Sequence, residues 1–534
     1  MIRIANIKVP LDENGEAPLQ LALKKIKADK SQVKSWRISK KSVDARDKGD
    51  VHFVMSVDVS LKNEDAYLHA AKPGTVTKVQ PVAPIAVIHQ EYKGLRPVVA
   101  GFGPGGLFAA LTLARAGLRP IVLERGERVD KRAKTTAHFS ETGELNPESN
   151  IQFGEGGAGS FSDGKLTTGI NDKRCQTVLK ELYDHGAPEE ILYLARPHIG
   201  TDKLPQVVAA IRDEILALGG DVRFSAKLTG IRVKAGQMEA VEYTDEAGKN
   251  EIATDALIIA IGHSAADTQQ MLFQAGVNMI QKPFSVGARI EHPQSLINKS
   301  QYGKFARHPA LGAAEYHLSA KLPDGRGAYT FCMCPGGTVV PAASRIGGVC
   351  VNGMSRFARD GENANAALLI DVRTEDFGDD HPLAGYALQR AWEERAFRAG
   401  GENYHAPVQL AGDLLAGRAT RKLGSVQPTY RPGVSCADFR DVLPPFVYQG
   451  LQGAIQAFDR QLKGFALPDA VLTAVESRSS CPVRLLRDSR CESNISGLYP
   501  CGEGAGYAGG IMSAAVDGIR VAESILVNKG LLEE

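Results

Sequence analysis

The sequence predicts an α/β protein: a small N-terminal α+β module, then a parallel-sheet domain interrupted by an inserted region of mixed sheet and helix. Three observations predict it. From residue 97 onward, short apolar strands alternate with a glycine turn and an amphipathic helix, the rhythm of βαβ units. Before that point, apolar and polar residues alternate in short strand-like runs around one helical stretch. Glycine is in excess, 56 of 534 residues, and concentrates in three runs that each adjoin a strand or a helix.

Taken in order, Ile2 to Val9 alternates as a strand, Pro18 to Ile26 reads as a helix, and Ser35 to Ser39 and Val51 to Ser60 alternate again. Ala71 to Gln90 carries Pro73, Pro81 and Pro84 among small residues, which predicts an extended linker and a module spanning 1–91. Strands follow at Pro97 to Ala100 and Pro120 to Leu123. Leu228 to Tyr243 reads as a hairpin around Lys234-Ala-Gly-Gln, and Asp255 to Gly262 as a buried parallel strand. The main domain is expected over 92–275 and again over 476–534, with the less regular 276–475 inserted between them.

Composition removes several classes of function. Lys plus Arg total 63 and Asp plus Glu 61, a net charge of +2, which argues against a basic nucleic-acid-binding surface. The basic run Lys24-Lys-Ile-Lys27 with Lys40-Lys41 lacks an aromatic stacking platform and reads as a solvated face. No apolar run approaches ~18 residues, so no membrane span is expected. Eight cysteines without a CxxC pair fit free thiols in a reducing compartment, and the alternating amino terminus is unlike a signal peptide; a cytoplasmic protein without metal is expected.

The first glycine run, Gly101-Phe-Gly103-Pro104-Gly-Gly106, follows a strand and opens a helix with apolar residues at Leu107, Ala110, Leu111 and Ala114. This is the context of a dinucleotide fingerprint: Gly101 for the turn, Gly103 for approach to a pyrophosphate, Gly106 for helix packing. Glu124 ends the next strand, where a carboxylate can accept hydrogen bonds from ribose hydroxyls. NAD and FAD both use this fingerprint.

The run Gly497-Leu-Tyr-Pro-Cys-Gly502-Glu503-Gly-Ala-Gly-Tyr-Ala-Gly-Gly510-Ile511 resembles the glutathione-reductase-like FAD superfamily, in which a C-terminal strand, a Gly-Asp motif and a helix hold the ribityl-phosphate. Glu503 stands where that superfamily has Asp, and Ala260-Ile-Gly262 resembles its Ala-Thr-Gly strand end. With Asn150 to Leu166, Glu476 to Arg484 and Phe331 to Gly337, nearly the whole chain is similar to a group described as FAD-dependent dehydrogenases. The resemblance implies a Rossmann-like FAD-binding domain and an inserted substrate domain. It implies FAD contacts from Gly101, Gly103, Pro104, Gly106, Glu124, Arg125, Gly157, Ser160, Asp163, Lys165, Gly262, Gly502, Glu503, Gly510 and Ile511, and places Lys165 and Arg478 beside the flavin as catalytic candidates.

The only later GxGxxG, Gly504 to Gly509, leaves too little chain for a second βαβ unit, so a dedicated NAD(P)H domain is not expected. Electrons would come from a small-molecule substrate, a transiently bound NAD(P)H or a redox partner protein. The expected activity is that of an FAD-dependent oxidoreductase on a small organic substrate. The alternatives are an electron carrier for a partner protein and a flavin hydroxylase. Cys332 and Cys334, at i and i+2 of a strand, would share a face ~7 Å apart, at the limit for a disulfide. Arg289 and His292 read first as surface or salt-bridge residues, though a cation there would also suit a substrate carboxylate or an anionic reduced flavin. His263, after the strand-ending Gly262, reads first as a solvent-facing loop residue, with proton transfer as the alternative.

Overall fold

A computed structural model describes residues 1–13, 15–72, 74–82 and 89–533. Pro73 and Pro84 of the expected linker lie outside the described residues. Strands Val33–Asp44, His52–Leu61, Ile2–Val9 and Val76–Lys78 form, in that order, an antiparallel sheet covered by helix Ala17–Ile26. The first strand buries Ile2, Ile4, Ile7 and Val9, a pattern that slips by one residue midway. The slip is a bulge: pairing shifts between Ile4 and Ile7, where Asn6 takes φ 55°, so the second half of the strand keeps its apolar side inward. The module is clamped to the rest of the chain, with Lys41 N donating to Tyr193 O (2.7 Å) and Ala195 N to Lys41 O (2.9 Å). Phe305 and Leu311 pack against its core. Lys41 is therefore not part of a solvated face: its ammonium lies 4.2 Å from the centre of the Phe53 ring.

Five parallel strands form the central sheet in the order Leu498–Pro500, Leu257–Ile259, Val98–Ala100, Ile121–Leu123 and Asp221–Arg223. The inner strands are short apolar runs because both faces are covered. Val99, Val122, Ile258 and Tyr499 face helices Pro104–Arg115, Leu204–Ala217 and Ile511–Asn528. Their alternates Val98, Ile121, Leu257 and Leu498 face the three-stranded antiparallel sheet Lys227–Lys234, Gln237–Asp245 and Gly248–Ala253. Helices Pro104–Arg115 and Ile511–Asn528 cross so closely that a Cβ on Gly518 would stand 2.1 Å from Gly105 O.

Between residues 284 and 476 the chain builds a seven-stranded sheet in the order Ser319–Lys321, Gly327–Cys334, Asn363–Val372, Phe284–Pro293, Val471–Glu476, Ala406–Leu410 and Val434–Cys436. Helices Ala384–Gly400 and Pro445–Gln461 complete its core. Among the described residues, no helix is long and apolar enough to cross a membrane.

Candidate functional site

A cleft with about 1540 Å³ of open space, solvent at its mouth included, runs between the parallel sheet and the seven-stranded sheet. Gly101, Gly103, Pro104, Gly157, Gly262, Gly502, Gly510 and Ile511 line it, with Glu124, Arg125, Asp163, Lys165, Arg478 and Glu503. Two of the expected residues do not. Gly106 sits behind the turn, where a Cβ would meet Gly101 O at 1.9 Å, and Ser160 is buried with its hydroxyl on Glu155 O. Both shape the loops rather than the cleft surface.

The glycines divide by what they make room for. Gly101 is at φ 95° and a Cβ there would strike Ala260 O at 2.4 Å, so the fold itself requires it. Gly103 is at φ −75°, and a Cβ there would meet only Gly157 Cα at an ordinary 3.7 Å. The fold makes no demand for glycine at 103; the space opens into the cleft. Helix Pro104–Arg115 begins immediately after it, and helix Ile511–Asn528 begins after Gly510, so two helix N-termini with their first-turn amides border one cavity.

The charged residues are mostly occupied by the protein. Glu124 accepts from Phe102 N (2.8 Å), Gly126 N (2.9 Å) and Gly154 N (2.9 Å), so its carboxylate ties together three turns besides facing the cleft. Arg125 is held by Glu148 and Asp267 and lies 3.9 Å from the Phe153 ring centre. The Arg125 and Lys227 cations beside it hold the Asp267 carboxyl down at about 2 against the cost of burial. Asp163 is paired with Arg359. Arg478 makes a bidentate pair with Glu393 (2.7 Å at both nitrogens) and donates to Ser344 Oγ (2.5 Å), so its guanidinium is held in a fixed place at the cleft wall.

Glu503 differs. Its carboxylate has no hydrogen-bond partner among the described residues, and burial pushes it up to about 7 despite the Lys282 charge. The turn below it is fixed by Asp517, which accepts from Gly502 N (2.7 Å) and pairs with Arg487 (2.6 Å). Lys165 also keeps its donors free among the described residues, where its only ion pair is at 3.6 Å to Glu315, beyond hydrogen-bond reach.

Several expectations change. His263 is buried against the cleft, not in solvent, and burial with the nearby Arg478 charge lowers it to about 4. Arg289 is a fully buried salt-bridge residue, bonded to Glu476 (2.5 and 3.2 Å), Cys332 O (2.8 Å), Asn365 Oδ1 (3.0 Å) and Asn352 Oδ1 (2.8 Å). His292 is buried against Phe465 O at 2.7 Å. Cys332 and Cys334 do not share regular strand geometry, because pairing shifts between Phe331 and Cys334 and Cys332 takes φ 38°. Both residues line the cleft, Cys332 exposed to it and Cys334 buried behind it.

Sequence reading missed Arg132. Its guanidinium is fully buried and donates to the carbonyls of Asn150 (2.8 Å), Ile151 (2.8 Å), Glu155 (2.7 Å) and Gly157 (2.9 Å), pinning the glycine-rich loop to the cleft wall. Burial lowers the guanidinium to about 10, against the opposing charges of Glu124 and Glu155 nearby. No local pattern could have shown this.

A parallel sheet whose glycine turn and two helix N-termini meet at one cleft defines a Rossmann-like α/β protein with the geometry of a dinucleotide site. Residues 283–479 match the family "FAD-dependent protein, C-terminal domain-like", and residues 1–60 a "Domain of unknown function (DUF8436)". The chain is 50% identical over 531 residues, 98% of each chain, to an uncharacterized protein of Clostridium beijerinckii, and it belongs to the same family as that protein. Among solved structures it is similar to a glycerol-3-phosphate dehydrogenase from Bacillus halodurans complexed with FAD (12% identity, TM-score 0.38), covering 83% of this chain and only 66% of that one. It is also similar to a glycine oxidase from Bacillus cereus (10% identity, TM-score 0.31), covering 82% of this chain and 96% of that one.

Proposed function

We propose that the protein is an FAD-dependent oxidoreductase of the glutathione-reductase-like superfamily, acting on a small organic substrate in the cleft. The observation that carries this reading is Gly103: a glycine the fold does not require, at the mouth of a helix, with its open side toward a cavity bordered by a second helix N-terminus. That is the room a pyrophosphate needs. The residues present fit the group. First-turn amides of helix Pro104–Arg115 would receive the pyrophosphate, Glu124 the adenosine ribose, and the unpartnered Glu503 a ribityl hydroxyl. When bound, FAD would supply hydride or electron transfer at the flavin ring.

The chain's own work is positioning and dehydration. Arg132 fixes the loop Asn150–Gly157 and Asp517 fixes the Gly502 turn, so the cleft is shaped before any ligand arrives. His263, lowered to about 4, is neutral at physiological pH, so its ring can accept a hydrogen bond and adds no charge. Reducing equivalents would come from the substrate, from transient NAD(P)H or from a redox partner. The test is anaerobic mixing of the purified protein with NADH and then NADPH while following the flavin band near about 450 nm. Fast bleaching identifies a nicotinamide-driven reductase, and no bleaching turns the search to a self-reducing substrate or a protein donor. A protein that binds no flavin refutes the reading.

A further inference from the structure

Phe331, Cys332, Asn352 and Lys165 line the same cleft as the glycine turns. Two polar groups on it have donors to spare. Arg289, which can only donate, takes Asn352 Oδ1 at 2.8 Å, and Gly353 N takes the same oxygen at 2.8 Å. The Asn352 amide is thereby oriented with its oxygen committed, and its NH2 group donates to nothing among the described residues. Lys165 is the second. Glu315 is shared among Arg359 (2.5 Å), Lys165 (3.6 Å) and Arg196 (3.7 Å), while Asp163 is taken by Arg359. Three cations face two carboxylates, which leaves one positive charge uncompensated, and Lys165 is the cation that reaches the cleft. Both donors line the same cleft, and Asn352 is tied to its Cys332 wall because Cys332 O shares the Arg289 guanidinium with it.

We propose that the substrate is a small carboxylate-bearing molecule whose carboxylate is received by the Lys165 ammonium and the Asn352 amide NH2, with its apolar part against Phe331. The proposal rests on reading the cleft as that of a flavin enzyme, and it deepens that reading. An ammonium and an amide NH2 offer only donors, which suits a carboxylate's acceptor-only oxygens and rejects an amine. Glu476 borders the same wall with both oxygens held by Arg289, so it neither competes as a donor nor needs a cation from the ligand.

The test uses the full-length protein as purified, with acetate, hexanoate and phenylacetate at fixed ionic strength and phenylacetamide as the uncharged control. Thermal unfolding and the flavin absorbance spectrum are both read. At least one carboxylate is expected to raise the melting temperature saturably and perturb the flavin band, while the amide does neither. K165M should weaken that binding about tenfold or more, as loss of a charge-assisted hydrogen bond implies, and K165R should recover part of it. N352D, which keeps the acceptor for Arg289 and removes the donor, should abolish it. No response to any carboxylate, an equal response to the amide, or unchanged binding in K165M would overturn the proposal. If Lys165 serves only the cofactor, K165M changes flavin retention and leaves carboxylate binding intact. If the wild-type protein carries no flavin, the flavin reading fails separately, and the thermal shift still decides the carboxylate site.

Discussion

Gly103→Ala and Gly106→Ala should separate a glycine kept for a ligand from a glycine kept for the fold. At 103 the new methyl meets only Gly157 Cα at 3.7 Å and the backbone is at φ −75°, which alanine adopts freely. Placing Ala at a helix N-cap costs about 0.5–1 kcal/mol relative to better caps, and stiffening the unfolded chain gains about 0.4–1 kcal/mol, so the flavin-free protein should change by less than about 1 kcal/mol. At 106 the methyl would stand 1.9 Å from Gly101 O, a clash with backbone that cannot rotate away, and overpacking of that kind costs about 1–3 kcal/mol or more. The assay is a urea midpoint on flavin-free protein beside the flavin-to-protein absorbance ratio after gel filtration. Gly103→Ala should keep the wild-type midpoint and lose flavin; Gly106→Ala should lose both. Full flavin retention by Gly103→Ala, or destabilisation matching that of Gly106→Ala, would refute the reasoning.

Three further outcomes are expected. Arg132→Met should leave the buried carbonyls of Asn150 and Ile151 without their donor, lower stability by about 2 kcal/mol or more and speed hydrogen exchange across residues 150–157; unchanged exchange there would remove Arg132 as the loop's anchor. Burial raises Glu503 from 4.5 to about 7, so its contribution to the stability of the flavin-free protein is fully present below 4.5 and is lost as pH rises through about 7. Discounted for its partial exposure to the cleft, that slope amounts to about 2–3 kcal/mol and should be missing in Glu503→Gln. A chain of residues 92–534 should retain flavin at the wild-type ratio, because no residue of the N-terminal module lines the cleft, although exposing Phe305 and Leu311 should lower its solubility.

What was legible in the sequence was whatever is written locally. The strand Val98–Ala100, the glycine turn and helix Pro104–Arg115 stand within eighteen residues of one another, and their apolar spacing and glycines are dictated by near neighbours. Glu503 and Gly510 were legible for the same reason, lying in a glycine-rich turn between a strand and a helix. Long-range pairings were not. Arg478 looks free in its serine-rich run, and only the fold brings Glu393 to it from helix Ala384–Gly400. Arg289 reads as a surface or salt-bridge residue, but nothing near it in sequence announces Glu476 or its full burial, and Arg132 lies on a helix whose pattern gives no hint that its side chain ends among carbonyls. The bulge at Cys332 is equally silent, since it depends on the partner strand Asn363–Val372 holding register on either side.

Strand Leu498–Pro500 pairs with Leu257–Ile259, and helix Ile511–Asn528 packs on Pro104–Arg115, so the two sides of the cleft come from opposite ends of the chain. A chain stopping short of residue 498 would leave Leu257–Ile259 with an unpaired edge and Gly105 without its partner helix. The glycine turn at 101–106 would then stand intact beside an open sheet flank, a hinge with only one leaf.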